Sequence, residues 1–492
     1  GVGRTSQESL CPTTPRVGAS AFDLRRSSKL KMRSFLARSS DLRAAGSLRA
    51  ATAARAAGTR AAKRAFSLQP TPVPAPSEQP SWNCVKFEDV VRAGHRNRGG
   101  IVRTQCDYSH WLSQMTGCEI YLKHEQQQFT GSFKERGARN ALLSLPQEQR
   151  AIGVMAASAG NHAQALAWHG KELGIPATVV MPTVAPMAKV EKCRAFGANV
   201  VIQGAHIGEA KEYAMANFPE LRYINGYDDP EIIAGAGTLG VEMLEQVPDA
   251  DVIVVPVGGA GLIAGVALAA KTLNPKVRLI GVEPRRCASY SAALLHDAPI
   301  AAPTKPTLAD GLAVPTVGPH AFAVAKRWVD EVVQVSERQV AISVLRLVEL
   351  QKLIVEGGGA SGLAALLPGG PLDRPELKGK KILVPLCGGN IDTTTLSRVI
   401  ERGLSADGRL VRLDVAVSDR PGGIAELTKE LADLGASVKD IFHERAWLQE
   451  TVSSVYIRVI LETMGPDHNK QILAAIRESH GTEVKMDTDA AL

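Results

Sequence analysis

A chain of 492 residues is too long for one hydrophobic core and implies two or three domains, and 45% apolar and 22% charged residues are the proportions of a globular protein. The net charge of +7 is unevenly spread: residues 1–81 hold fourteen Lys and Arg against four acids, so this stretch carries +10 and the remainder −3. A mildly acidic body gives no ground for nucleic-acid binding, and no uncharged apolar run is long enough to span a bilayer.

Residues 1–81 are rich in Ala, Arg and Ser and poor in acids, the composition of an organellar transit peptide. From Met32 onward the arginines can line one face of a helix against Ala, Leu and Phe, and Arg64–Ser67 (RAFS) resembles a mitochondrial processing site. Mitochondrial import is expected, with a plastid as the other organelle this composition fits. Pro70–Pro80 forms a proline-rich spacer. A disordered basic tail would have the same composition. The seven cysteines (Cys11, Cys84, Cys106, Cys118, Cys193, Cys287, Cys387) are odd in number and form no CxxC, which fits a reducing compartment and offers neither a disulfide framework nor a zinc site.

From about Val85 to Gly403 short apolar runs alternate with helical patterns. Ile152–Ala157 leads through a small-residue turn to a helix from about His162. Ala177–Met181, a helix about Ala188–Phe196 and Asn199–Ile202 follow. Asp251–Val257 (DVIVVPV) is a continuous apolar strand before a helix at Leu262–Lys271. Val277–Val282 and Lys381–Leu386 are further strands, the latter followed by a helix about Thr393–Arg402. Unbroken apolar strands alternating with helices imply α/β architecture, parallel sheets with helices on both faces. A domain over 82–404 is expected, with ligands beyond the carboxyl ends of its strands.

The pattern changes after Ala406. Strand Leu410–Val417, turn Asp419–Gly423, helix Ile424–Leu434, strands Ser437–Phe442 and Ser453–Leu461, helix Asp467–Glu478 and the short run Thr482–Met486 make βαββαβ, a ferredoxin-like module over 409–488.

Four turns can carry chemistry. In GSFKERGARN (131–140), Lys134 stands where a helix begins, after residues small enough to let a ligand approach. A lysine that loses part of its water there becomes an amine nucleophile, suited to a Schiff base with an aldehyde cofactor. In GGAGL (258–262), between a buried strand and a helix, backbone N–H groups offer a phosphate site. The same glycines would serve close helix packing or a dinucleotide site, although Gly265 comes one residue late for GxGxxG. In SAGNH (158–162), Ser158, Asn161 and the turn's N–H groups can hold a carboxylate. In CGGN (387–390), a thiol can offer a weak hydrogen bond to a ring nitrogen.

Together with MPTVAPMAKV (181–190), GYDDP (226–230), TLADGLAV (307–314) and EGGGASGLAALL (356–367), these stretches resemble, in order, the threonine dehydratases (threonine/serine ammonia-lyases) of the fold type II pyridoxal-phosphate enzymes. The tail from about Arg409 to Met486 resembles an ACT domain, a small amino-acid-sensing module. The resemblance implies that pyridoxal 5'-phosphate is bound through Lys134, beside Phe133, with Asn161 on its ring hydroxyl. Gly258, Gly259, Ala260, Gly261 and Leu262 would hold its phosphate, and Cys387 would face its pyridine nitrogen. Ser158, Asn161 and His162 would receive the substrate carboxylate. The reaction implied is α,β-elimination of L-threonine to 2-oxobutanoate and ammonia, and of L-serine to pyruvate, with Lys134 as the base. A regulatory amino acid, isoleucine or valine first, would bind the ACT domain near Asp419–Gly423, a hinge near Ser405–Gly408 would transmit its effect, and a homodimer or homotetramer is implied.

The sequence departs from the family pattern in places. Ala260 replaces the usual glycine of the phosphate turn, which requires a negative φ there. Ala236 stands for a common Gln and Gly358 for a common Ala. Serine racemases of this fold carry a serine where this chain has Ala159, and an acid of their metal site where it has Ser289, so no metal site is expected. Serine racemase or another fold type II β-lyase is the alternative enzyme, and a non-catalytic amino-acid sensor the alternative from another class.

Overall fold

The computed structural model describes residues 81–444 and 454–487. The expected transit peptide, with its RAFS stretch, and the expected proline-rich spacer lie outside the described residues.

Two parallel-strand units and one antiparallel unit make up the described chain. The strands of the first part, in chain order, are β1 (Cys106–Tyr108), β2 (Glu119–Lys123), β3 (Val154–Ala157), β4 (Ala177–Met181), β5 (Asn199–Ile202), β6 (Arg222–Tyr223), β7 (Val252–Pro256), β8 (Arg278–Pro284), β9 (Glu331–Val335) and β10 (Lys381–Pro385). The larger sheet runs β1-β2-β10-β7-β8-β9 and the smaller β5-β4-β3-β6. Every pairing is parallel except β1 with β2 at the edge of the larger sheet.

The unbroken apolar runs follow from cover on both faces. In β7, Ile253 and Val255 pack into one core with Leu279 and Leu383. Val252 and Val254 pack into another with Ile280, Val282, Ile382 and Val384. Beneath the first face, helix Pro230–Gln246, capped by Asp229, crosses helix Gly261–Leu273 at close range. A Cβ on Gly265 would lie 2.2 Å from the Ile233 carbonyl oxygen. Gly265 therefore serves this crossing, which fixes where the second helix begins, and Gly265→Ala should cost about 1–3 kcal/mol through forced separation.

β2 had no apolar signature because it ends in Lys123, which is fully buried. Its amine donates to Thr104 O at 2.6 Å, Glu242 at 2.8 Å and Gln246 at 2.9 Å. Arg136 joins the network through bidentate pairing with Glu125, at 2.8 Å each, and with Glu242. Buried charges persist only where paired in this way.

The last unit comprises β11 (Leu410–Ser418), β12 (Ser437–Glu444), β13 (Ser454–Glu462) and β14 (Lys485–Asp487), ordered β12-β13-β11-β14 and antiparallel throughout. Its helices Gly423–Asp433 and Pro466–His480 cover one face, so burial alternates along β13. Val455, Ile457, Val459 and Leu461 meet Leu427, Leu431, Ile472 and Ile476 in a separate core. At the junction, helix Thr393–Ala406 ends and Asp407 pairs with Arg346, while Arg409 pairs with Asp407 and with Glu349 at 2.6 Å. Glu349 lies in the π-helical turn Leu347–Gln351, five to nine residues before Glu356.

Candidate active site

Lys134 is the first residue of helix Lys134–Ser144. The residue is partly exposed, but its amine is enclosed and donates to the Gly226 carbonyl. Burial lowers its pKa to about 8, against the opposing pull of Cys387 and Glu356. An amine so placed keeps a far larger neutral fraction at neutral pH than an ordinary lysine and is available as nucleophile or base.

Gly226 and Tyr227 tie this amine to the turns at Ser158–His162 and Gly258–Leu262. A Cβ on Gly226 would meet the His162 ring at 2.6 Å, and one on Gly259 would meet the Tyr227 ring at 2.3 Å. The glycines of the Gly258–Leu262 turn thus permit close approach by Tyr227. Ala260 stands at the start of helix Gly261–Leu273 with φ 70 and ψ −5. The expectation of a negative φ is overturned. Gly259 and Gly261 both press on Tyr227, and Gly259 O accepts from Gly318 N at 3.2 Å, so the path through Ala260 is set from both sides. The Leu262 side chain is buried in the core; only its backbone faces the question of ligand binding.

Ser158 accepts from Gly160 N at 3.3 Å and so holds its own turn. Helix Asn161–Leu173 starts there, and its first N–H groups have no helical acceptor. The His162 ring bonds the Ile224 carbonyl through Nε2 at 3.0 Å, which places the proton on Nε2. Burial, then Lys134, lower its pKa to about 4, so the ring is neutral and Nδ1 is an acceptor. A carboxylate at this turn would meet the backbone N–H of His162, not its ring.

The CGGN and GSFK turns are knitted together. Phe133 N donates to Cys387 O at 3.0 Å, Gly389 N to Gly131 O at 2.9 Å, and Asn390 Nδ2 to Thr130 O at 2.6 Å. Phe133 and Cys387 pack in the same cluster. Burial raises the Cys387 pKa, so sulfur stays a thiol. Sequence reasoning missed Glu356 as a site residue, although it quoted the motif that Glu356 opens. Its Oε1 accepts from Asn161 Nδ2 at 2.6 Å. Burial raises its pKa to about 7.

The Glu283 carboxylate accepts from Tyr290 N at 2.6 Å and from Ser291 N and Oγ at 2.9 and 2.6 Å, so the start of helix Ser289–His296 occupies its oxygens.

The family model for pyridoxal-phosphate dependent enzymes matches residues 98–388, and that for ACT domains residues 411–481. An L-threonine ammonia-lyase of Thermotoga maritima is 43% identical over 390 residues, 79% of this chain and 96% of the relative. The chain belongs to the pyridoxal-phosphate-dependent threonine ammonia-lyase family. This lyase family member also matches the processed form of threonine deaminase isoform 2 from Solanum lycopersicum, with 33% identity and TM-score 0.61 over 68% of this chain and 96% of that one. Maize serine racemase matches with the same identity and TM-score over 65% and 98%. The fold therefore does not separate lyase from racemase, and the site must.

The residues present fit pyridoxal phosphate. Two helix starts offer free N–H groups, a lysine amine of lowered pKa stands between them, and buried Ser132 Oγ and His162 Nδ1 have no protein partner.

Proposed function

We propose that this pyridoxal-phosphate lyase converts L-threonine to 2-oxobutanoate and ammonia, and L-serine to pyruvate and ammonia, under control of an amino acid at its ACT domain. The observation that carries this reading is the Lys134 amine, lowered in pKa and tied through Gly226 and Tyr227 to both anion-holding turns. Bound pyridoxal phosphate supplies an electron sink at the substrate's Cα. Neutral Lys134 takes the Cα proton. The first-turn N–H groups of helix Asn161–Leu173 hold the substrate carboxylate, aided by the helix dipole. The Cys387 thiol would face the cofactor's ring nitrogen without a negative charge, which would favour loss of the β-hydroxyl over long-lived carbanion chemistry. The enamine left behind hydrolyses, the water lost is regained, and 2-oxobutanoate and ammonia remain.

Ala159 supports lyase over racemase, because a methyl cannot return a proton to the opposite face. Incubating the holoenzyme with L-threonine and with L-serine tests the reading. Accumulation of 2-oxobutanoate and ammonia supports it, whereas D-serine without a 2-oxo acid overturns it.

A homodimer or homotetramer is part of the proposal. It is supported by the edge strand β12, which exposes Val438, Ile441 and Phe442. So is mitochondrial import, supported by the acid-poor leader. The Thermotoga relative is bacterial, which weighs against an organellar leader, so N-terminal sequencing of the native protein decides.

A further inference from the structure

We propose that Glu356 is a positioning residue of this site: its carboxylate fixes the side-chain amide of Asn161 and leaves one Nδ2–H for an oxygen of the bound cofactor. Glu356 precedes helix Gly357–Leu366, where an acid usually serves the helix start, yet its side chain makes no capping bond. It is buried, and it reaches Asn161, 195 residues away in sequence, at 2.6 Å.

The bonds around Asn161 run in one direction. Lys192 Nζ donates to Asn390 Oδ1 at 2.7 Å. Asn390 Nδ2 donates to Asn161 Oδ1 at 2.9 Å. Asn161 Nδ2 donates to Glu356 Oε1 at 2.6 Å. Lysine has only donors and an ionised carboxylate only acceptors, so the two ends of the relay permit one orientation of both amides. Turning either amide would set donor against donor and acceptor against acceptor. An amide has two N–H groups, and Glu356 engages one of those on Asn161. The carboxylate also accepts from the backbone N–H of Asn390, and a Cβ on Gly388 would lie 2.6 Å from Oε1, so the CGGN turn packs against it and holds it in place.

The charged and titratable groups acting on this carboxylate are Asp310 and Lys189, and Glu356 in turn acts on Lys134, Lys192 and Cys387. Whether neutral or ionised, Glu356 keeps an oxygen that can accept from Asn161. The positioning role therefore persists across neutral pH.

The test is a double-mutant cycle on cofactor affinity, read from the visible absorbance of the holoenzyme on serial dilution, with melting temperature as the check on folding. It depends on bound cofactor and not on which substrate is turned over, so failure of the threonine assignment leaves it intact. Glu356→Ala should weaken cofactor retention about tenfold in the wild-type background and not at all when Asn161 is already Ala. Glu356→Gln, whose amide oxygen can accept the same N–H, should stay within about threefold of wild type. Equal losses with and without the Asn161 amide, or unchanged retention in Glu356→Ala, would overturn the proposal. Should Glu356→Ala not fold, Lys192→Met frees the other end of the relay and decides: weakened retention only when Asn161 is present supports it, and unchanged retention sinks it.

Discussion

The turns at Ser158–His162 and Asp419–Gly423 are made of the same parts: a strand, a few small residues and the N-terminus of a helix. They differ in what closes over them. The first is partly buried, and Gly226, Asn390 and Glu356 from three distant segments press on it. In the second, residues 419–422 are exposed, and Gly422, with φ 111, opens a helix whose first turn carries the acid Glu426. A turn becomes a reaction site when other segments remove its water and fix the polarity of its side chains. Without such walls it is at most half of a binding site, and a second subunit would have to supply the rest.

The largest effect should come from the closed site. Lys134→Ala should lower kcat at least about a thousandfold, since one group serves as nucleophile and base. The ACT core should be untouched, and circular dichroism and melting temperature should stay near wild type. Activity within tenfold of wild type would remove the distinction between the two turns.

Enclosure also sets the pH response of that lysine. With a pKa near 8, the neutral amine falls about tenfold for each pH unit below 8. Capture of pyridoxal phosphate by cofactor-free protein should therefore slow by about that factor from pH 7 to pH 6 and level off above pH 9. A midpoint near the ordinary lysine value of 10.5 would mean that the amine is not enclosed.

For the open turn the expected effect is smaller and depends on the junction. Isoleucine or valine should shift the threonine saturation curve by about five- to tenfold. The ion-pair ring of Arg346, Asp407, Arg409 and Glu349 joins the ACT domain to the π-helical turn that leads to Glu356. Arg409→Ala should reduce that shift while leaving activity without effector near wild type. If the shift is unchanged in this variant, coupling does not run through the ring. If no amino acid moves the wild-type curve, the ACT domain has no regulatory role here.

Which parts were legible follows from the range of the interactions. DVIVVPV announced a strand covered on both faces, and the order of runs after Ala406 announced a βαββαβ module, because period and burial are local properties. The turns around Lys134, Asn161 and Gly259 were visible for the same reason. Glu356 was not, because an acid before a helix reads as a favourable charge at its start, and the partner that redirects it is 195 residues away. β2 was hidden likewise, since Lys123 is buried only by virtue of Glu242, 119 residues on. Ala260 was read wrongly because the residue alone argues for negative φ, whereas Tyr227 and Gly318 dictate the path.

Ala260 supplies the smallest and most discriminating test. Its left-handed backbone costs about 1 kcal/mol in a residue with a Cβ. Ala260→Gly removes that cost, but it also loses a buried methyl worth up to about 0.8 kcal/mol and gives the unfolded chain about 0.5 kcal/mol of extra freedom. The terms nearly cancel, so the melting temperature should move by no more than about 2 °C. Ala264, one turn further on in the same helix and fully buried, has no such strain to release. Ala264→Gly should therefore cost the methyl and the helix propensity together, about 1.5–2 kcal/mol. If both variants lose stability equally, φ at Ala260 is negative after all, and the phosphate turn follows another path.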